Sequence, residues 1–271
     1  MIDGNCIKQF MCILGTVAKL GKSCVLRISP KHIYFIVKEP QTISLSPFTW
    51  CSIEECHFFS EYNMDGLNAV DNEIYLEFLA ENVTKTLSAL KVSSTAKSVK
   101  IKLTKKLTPC LTFEIDLPSS TSHSRLVVHD IPVSVIPRRL WDEYLEPANE
   151  DVDVTVLLPH MRLLRNIVDR MKNLANMATL QITAQGLLTL TAETDMVSVT
   201  SYFDDLHIEK KKDDVEQASI TIELKKLSHF LNNEQVTANR VICEVSRSRL
   251  LHFNFSGDSY SLEYFLPAVA I

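Results

Sequence analysis

The 271-residue sequence predicts an α+β protein of two similar domains, each with two helices packed on antiparallel sheets. Three observations lead to this. An amphipathic helix followed by three or four strand-like runs recurs four times, with helical windows at 5–22, 80–97, 159–176 and 224–234. The length lies near the size at which a single core stops growing. Both periodicities break where Asp142, Glu143, Glu146, Glu150, Asp151 and Asp153 surround Pro147. The expected domains are 1–137 and 154–271, joined by an acidic connector at 138–153. Residue identity between the four copies is too weak to prove duplication.

The first window is helical because Ile7, Phe10, Met11, Leu14, Val17 and Ala18 recur at spacings of three and four. Lys8, Cys12, Gly15, Lys19 and Lys22 share another stripe of that helix. Strands are expected at 24–28, 33–37, 49–53, 57–62 and 73–79, rich in β-branched and aromatic residues between turn formers. Val83, Leu87 and Leu90 mark the second helix, and a hairpin from Val99 to Leu117 turns near Thr108 and Pro109. The third helix follows Pro159 with Met161, Leu164, Val168, Met171 and Ala175 inward. Strands return between Leu180 and Phe203. A short fourth helix turns Leu224, Leu227, Phe230 and Leu231 inward, and strands at 240–246, 250–255 and 260–266 close the chain.

Hydrophobic content of 46%, charged content of 23% and only 6 Gly describe a globular chain. No apolar run approaches the roughly 18 residues of a membrane span, so an intracellular protein with no membrane partner is expected. Seven scattered cysteines suit reduced thiols rather than a disulfide framework.

Charge is sorted. The four helical windows hold 12 of the 28 Lys and Arg but only 3 of the 33 Asp and Glu, in a chain of net charge −5. Outward faces kept for solubility normally mix signs. Stripes of one sign in an acidic protein suit a polyanion, and few aromatics on them argue against base stacking. The expectation is contact with the backbone of double-stranded DNA through Lys8, Lys19, Lys22, Lys85, Lys91, Arg162, Arg165, Arg170 and Lys172.

Other motifs carry less. Gly21-Lys22-Ser23 follows a helix and precedes a strand, the inverse of a phosphate loop. Cys51, Cys56 and His57 are zinc-ligand types without a second pair, so no metal is expected there. His129-Asp130 lacks a nucleophile elbow and reads as a turn. Lys100, Lys102, Lys105 and Lys106 read as a solvated sheet face, and Lys210-Lys211-Lys212, flanked by acids, as a solvated loop.

The strings Ser23-Cys24-Val25-Leu26-Arg27-Ile28-Ser29-Pro30, Asn72-Glu73-Ile74-Tyr75-Leu76-Glu77 and His129 to Trp141, with the ending Tyr260 to Ala268, resemble the Hus-type subunit of the nine-one-one DNA-damage checkpoint clamp over almost the whole chain. That family is similar in fold to proliferating cell nuclear antigen, the replication sliding clamp. The resemblance implies two sliding-clamp (DNA clamp) domains with helices lining a ring around DNA. It further implies a nuclear heterotrimer with two paralogous Rad-type clamp subunits, a checkpoint clamp loader, and recruitment of checkpoint-kinase activators and DNA repair enzymes. It implies no cofactor, no metal and no catalytic residue, so the chain is not expected to be an enzyme. A free-standing adaptor of the same fold is the alternative.

Clamps of this type join subunits edge to edge. The edges expected here are the arm carrying Leu111, Thr112, Phe113 and Ile115, and the run carrying Val197, Ser198, Val199 and Tyr202. In such clamps the connector borders a client groove, so Leu140, Trp141, Tyr144 and Leu145 are candidates for client contact, with anchoring of the connector by Trp141 as the other reading. The chain departs from the family in two places. Only Met1-Ile2 precede Asp3-Gly4, where relatives carry a short strand, so an open sheet edge or a gap next to the opening helix is expected there; the connection 204–217 lacks the family's Gly-Pro.

Overall fold

The apolar period of the first window closes into helix α1 (Gly4–Leu20), which buries Ile7, Phe10, Ile13, Leu14, Val17 and Leu20. Met11 and Ala18, expected inward, are half-buried, because the helix turns Ile13 and Leu20 to the core instead. The computed structural model describes residues 4–38, 46–64, 72–92, 96–117, 125–147, 151–158, 161–234, 236 and 238–269, except for the side chains of 87–92. Met1 to Asp3, beside which the open edge or gap is expected, therefore lie outside the described residues, as do the side chains of Leu87 and Leu90. The described chain divides into two compact units, one of residues up to 38 with 50–146, the other of 46–49 with the chain from 147 on.

In the first unit α1 is followed by β1 (Ser23–Ile28), β2 (His32–Lys38), β3 (Phe48–Glu54), the single turn α2 (Glu55–Phe58), β4 (Ile74–Leu79) and α3 (Ala80–Val92). Then come β5 (Ser98–Lys105), β6 (Pro109–Leu117), β7 (Arg125–Pro132), β8 (Ser134–Val135) and a 3-10 helix (Arg138–Tyr144). One sheet runs β3-β2-β1-β4-β8 and a second runs β5-β6-β7. α1 packs on α3, and Phe10 meets Phe35 and Phe58 at 6.1 and 6.3 Å. Gly21, between α1 and β1, has to be glycine because a Cβ there would lie 2.3 Å from a Val37 methyl.

Two expectations for this unit are corrected. Residues 57–62 are not a strand: the Phe59 N–H closes a helical turn on the Glu55 carbonyl at 2.9 Å, and burial of the Phe58 ring fixes that turn. His129 and Asp130 are not a turn either, since they lie in β7 opposite Phe113 and Thr112 of β6.

The second unit contains β9 (Val154–Leu157), α4 (Met161–Met171), β10 (Met177–Thr183), β11 (Leu188–Glu193), β12 (Ser198–Phe203), β13 (Ile208–Lys211), β14 (Gln217–Glu223) and α5 (Leu224–Asn233). It ends with β15 (Arg240–Ser246), β16 (Leu250–Ser256) and β17 (Tyr260–Pro267). Its sheets run β13-β9-β15-β16-β17 and β12-β11-β10-β14. α4 packs on α5, burying Leu164, Val168 and Met171 with Leu227, Phe230 and Leu231; each such side chain contributes about 2 kcal/mol relative to exposure. Phe230 stacks on Tyr264 at 4.0 Å, which aligns α5 with β17. The lysine run at 210–212 is not a loop: Lys210 and Lys211 pair with β9, and Lys212 bridges Asp151 and Asp153. Asp153 is likewise no linker charge, because it is buried and accepts the Arg247 N–H at 2.7 Å.

Candidate nucleic-acid interface

The helix cations divide into free and committed groups. Lys8 and Lys19 of α1, and Lys22 just beyond it, are exposed and have no acidic partner among the described residues. α1 contains no acidic residue, and Lys19 sits in its last turn, where the helix dipole favours a cation. Lys85 of α3 is exposed but paired with Glu81 one turn earlier at 2.6 Å. The Lys91 side chain lies outside the described residues.

On α4 Arg162 and Arg170 share an exposed stripe with Asn166 and have no acidic partner among the described residues. Arg165 is turned aside to Glu234 at 3.3 Å. Burial pushes the Glu234 carboxyl above its ordinary value and Arg165 opposes that shift, while Arg165 Nε and Glu234 Oε1 remain buried without a partner. Lys172 is held by Asp169 at 2.7 Å and the Ser228 hydroxyl at 2.8 Å. Five of the nine candidates, Lys8, Lys19, Lys22, Arg162 and Arg170, thus present unneutralised charge. Lys225 of α5 is also exposed and was not singled out from the sequence, although its window was.

The two expected assembly edges differ. Among the described residues β12 pairs with β11 and ends its sheet, so Ser198, Val199 and Tyr202 lie along an edge, with Met196 92% and Tyr202 64% exposed; Val197 precedes the strand, and its carbonyl accepts the Thr194 N–H at 2.8 Å in the turn. β6 is corrected: it is the central strand of its sheet, paired with β5 on one side and β7 on the other. Leu111, Thr112, Phe113 and Ile115 are buried and have no free backbone edge. Among the described residues the outer strands of that sheet are β5, whose Lys100, Lys102 and Lys105 are exposed beside Leu103, and β7, whose Leu126 and Val128 are exposed apolar residues. The signal for β7 was its Val127-Val128 pair beyond the polar run 118–124.

The connector candidates do not share one role. Trp141 turns inward, stacking on buried Tyr75 at 4.6 Å while its indole N–H donates to the Ile136 carbonyl at 3.0 Å. Tyr75 also faces the guanidinium of Arg27, which is paired with Glu73 at 2.6 Å. Leu140 is half-buried, Tyr144 lies 6.0 Å from the Lys38 ammonium, and Leu145 is exposed.

A family model described as Hus1-like protein matches residues 1–270. Checkpoint protein HUS1 of Homo sapiens is 37% identical over 278 residues, covering 100% of this chain and 98% of that protein. Checkpoint protein Hus1-like of Drosophila melanogaster is 30% identical over 273 residues, with coverage of 100% and 98%. Among solved structures, the proliferating cellular nuclear antigen of Entamoeba histolytica superposes with a TM-score of 0.71 at 17% identity, covering 97% of this chain and 95% of that one, which establishes the sliding-clamp fold. Full-length similarity to checkpoint proteins and a clamp architecture meet in one chain, which belongs to the Hus1-like family and is a DNA-damage checkpoint clamp subunit.

Proposed function

We propose that the chain is the non-catalytic Hus-type member of a heterotrimeric ring, formed with two paralogous Rad-type clamp subunits and placed around double-stranded DNA in the nucleus by a checkpoint clamp loader. There it recruits DNA repair enzymes and activators of checkpoint signalling. The observation that carries this reading is the charge of Lys8, Lys19, Lys22, Arg162 and Arg170, without an acidic partner among the described residues, on or just beyond helices of both units in a chain whose net charge is −5. Helices that needed cations only for solubility would neutralise them locally, as Glu81 neutralises Lys85. Lysine and arginine that contact only phosphates bind without regard to sequence, which suits a surface that moves along a duplex. Assembly uses β12 of one subunit and an edge such as β7 of the next, a heterologous contact in which each paralogue can set its own specificity. β7 fits better than β5 because it exposes two large apolar side chains, Leu126 and Val128, where β5 exposes Leu103 among Lys100, Lys102 and Lys105.

The test is the salt dependence of DNA binding by the ring reconstituted with both paralogues. Lys19→Glu combined with Arg170→Glu should weaken binding and reduce the slope of log K against log salt by about 0.9 for each phosphate that is no longer neutralised. Unchanged affinity and slope in an intact ring would overturn the reading.

A further inference from the structure

Glu54 ends β3, and Cys56 and His57 lie in the single turn α2 that follows. The turn is held from three sides: the Glu55 N–H donates to the Lys31 carbonyl at 3.1 Å, the Phe58 ring is fully buried, and the Cys6 thiol of α1 donates to the His57 carbonyl at 3.2 Å. Three side chains of different donor type therefore converge at the surface of the first unit. His57 Nδ1 is 3.1 Å from Glu54 Oε2 and 3.6 Å from Cys56 Sγ, and all three ligand atoms lie within 4.8 Å of one another.

The two separations that involve His57 are close to the edges of a coordination tetrahedron. With bonds of about 2.3 Å to sulfur and about 2.0 Å to nitrogen and oxygen, a tetrahedral zinc requires an S···N edge of roughly 3.5 Å and an N···O edge of roughly 3.3 Å. Side-chain rotation would bring the Cys56 thiol and the Glu54 carboxylate into the same coordination sphere. The donor set is also selective, since thiolate and imidazole suit zinc, whereas calcium and magnesium take oxygen ligands. Spacing alone had offered Cys51 with Cys56 and His57, but Cys51 is buried and takes no part, and Glu54 replaces it.

We propose that Glu54, Cys56 and His57 form a zinc site on the first unit, with water in the fourth position. On binding, the Cys56 S–H bond breaks, its proton passes to solvent, and the thiolate electron pair forms the S–Zn bond. His57 ligates through Nδ1 and carries its proton on Nε2, and Glu54 exchanges its contact with the ring for the metal. The Cys6 thiol, committed to a backbone carbonyl, braces the turn. The bound ion would tie the end of β3 to α2.

Cobalt(II) is the probe, added to the purified full chain under reducing, chelator-free conditions. The expected result is a thiolate-to-cobalt absorption band with tetrahedral visible bands, both displaced by zinc. Cys56→Ser should abolish the thiolate band, and His57→Ala and Glu54→Gln should each weaken binding several-fold. Cys12→Ser, which alters an exposed cysteine of α1, should change nothing. Zinc should also raise the melting temperature of the wild type and not of Cys56→Ser. Absence of the band in the wild type with cobalt in excess, or its persistence in a folded Cys56→Ser, overturns the site.

Discussion

Replacing His252 by glutamine is expected to flatten the pH dependence of stability of the second unit between pH 6.5 and about 8. His252, 5% exposed on β16, lies between two carboxylates, with Nδ1 2.9 Å from Glu244 of β15 and Nε2 3.1 Å from Glu263 of β17. Its ring stacks on Phe265 at 4.3 Å. Burial draws the imidazolium pKa down, but the hydrogen bonds and charges of Glu244 and Glu263 outweigh burial and raise it from 6.5 to about 8. Only the protonated ring donates from both nitrogens, so only that form satisfies both carboxylates. The folded value exceeds the unfolded one, so this stabilisation is complete below pH 6.5 and is lost as pH rises through about 8. The gap corresponds to about 2 kcal/mol. The assay is urea unfolding of wild type and His252→Gln across that window, with native-state hydrogen exchange at β16 locating the effect. Across that window wild type should lose about 1 kcal/mol more than the variant, with the full gap lost only over a range extending about one pH unit further on each side. Equal pH slopes, or a wild type that gains stability as pH rises, would refute the reasoning.

Trp141→Ala should lower the stability of the first unit by about 2 kcal/mol, less than for a fully buried Trp because the ring is half-exposed. An unchanged denaturation midpoint with client binding abolished would assign Trp141 to a groove instead. Thr112→Pro, in the middle of β6, should unfold the small sheet, seen as reduced circular-dichroism cooperativity, because a proline there disrupts a strand paired on both sides. Met196→Glu with Tyr202→Lys on the β12 edge should leave the subunit folded and abolish trimer on size-exclusion chromatography, and an intact trimer would exclude that edge. Asp153→Ala should cost about 2 kcal/mol, mostly because the Arg247 N–H loses its acceptor, while the half-exposed Arg247 and Lys212 cations regain water. Burial pushes the Asp153 carboxyl up, but the bonds from Arg247 and Lys212 outweigh this and hold it below its ordinary value of 3.8. Its contribution is therefore present above pH 3.8 and lost as pH falls through the lower folded value, so the variant should show a flatter acid limb in a denaturation series.

Local pattern was enough for the elements whose signal is contained in their own residues. α4 and α5 declare a buried stripe at helical spacing, and β15, β16 and β17 follow one another with short turns, so neighbours in sequence are neighbours in the sheet. The sorting of positive charge onto helical windows was legible in the same way, as was the strand character of Ser198–Phe203. The single turn at α2 was not, because one buried ring, Phe58, and a backbone bond to Lys31 decide it, and neither is periodic.

Whether a strand is central or an edge depends on partners far along the chain. The residues of β6 and β7 do not say which partners they take, and only their pairing shows that Thr112 lies between two neighbours while Leu126 and Val128 lie on the outer strand of the described sheet. The same limit governs electrostatics. The Glu81–Lys85 pair is one turn long and readable, but Glu234 reaches Arg165 across 69 positions, and Glu244 and Glu263 close on His252 only when three strands are in register. Sequence by itself determined which segments are amphipathic, where charge accumulates and which family the strings resemble, because those properties are local sums over residues. Tertiary structure decided which cations stay free, which strand edges stay open and which side chains of Glu54, Cys56 and His57 meet, because Coulomb, hydrogen-bonding and coordination forces act over a few ångströms of space and are indifferent to distance along the chain.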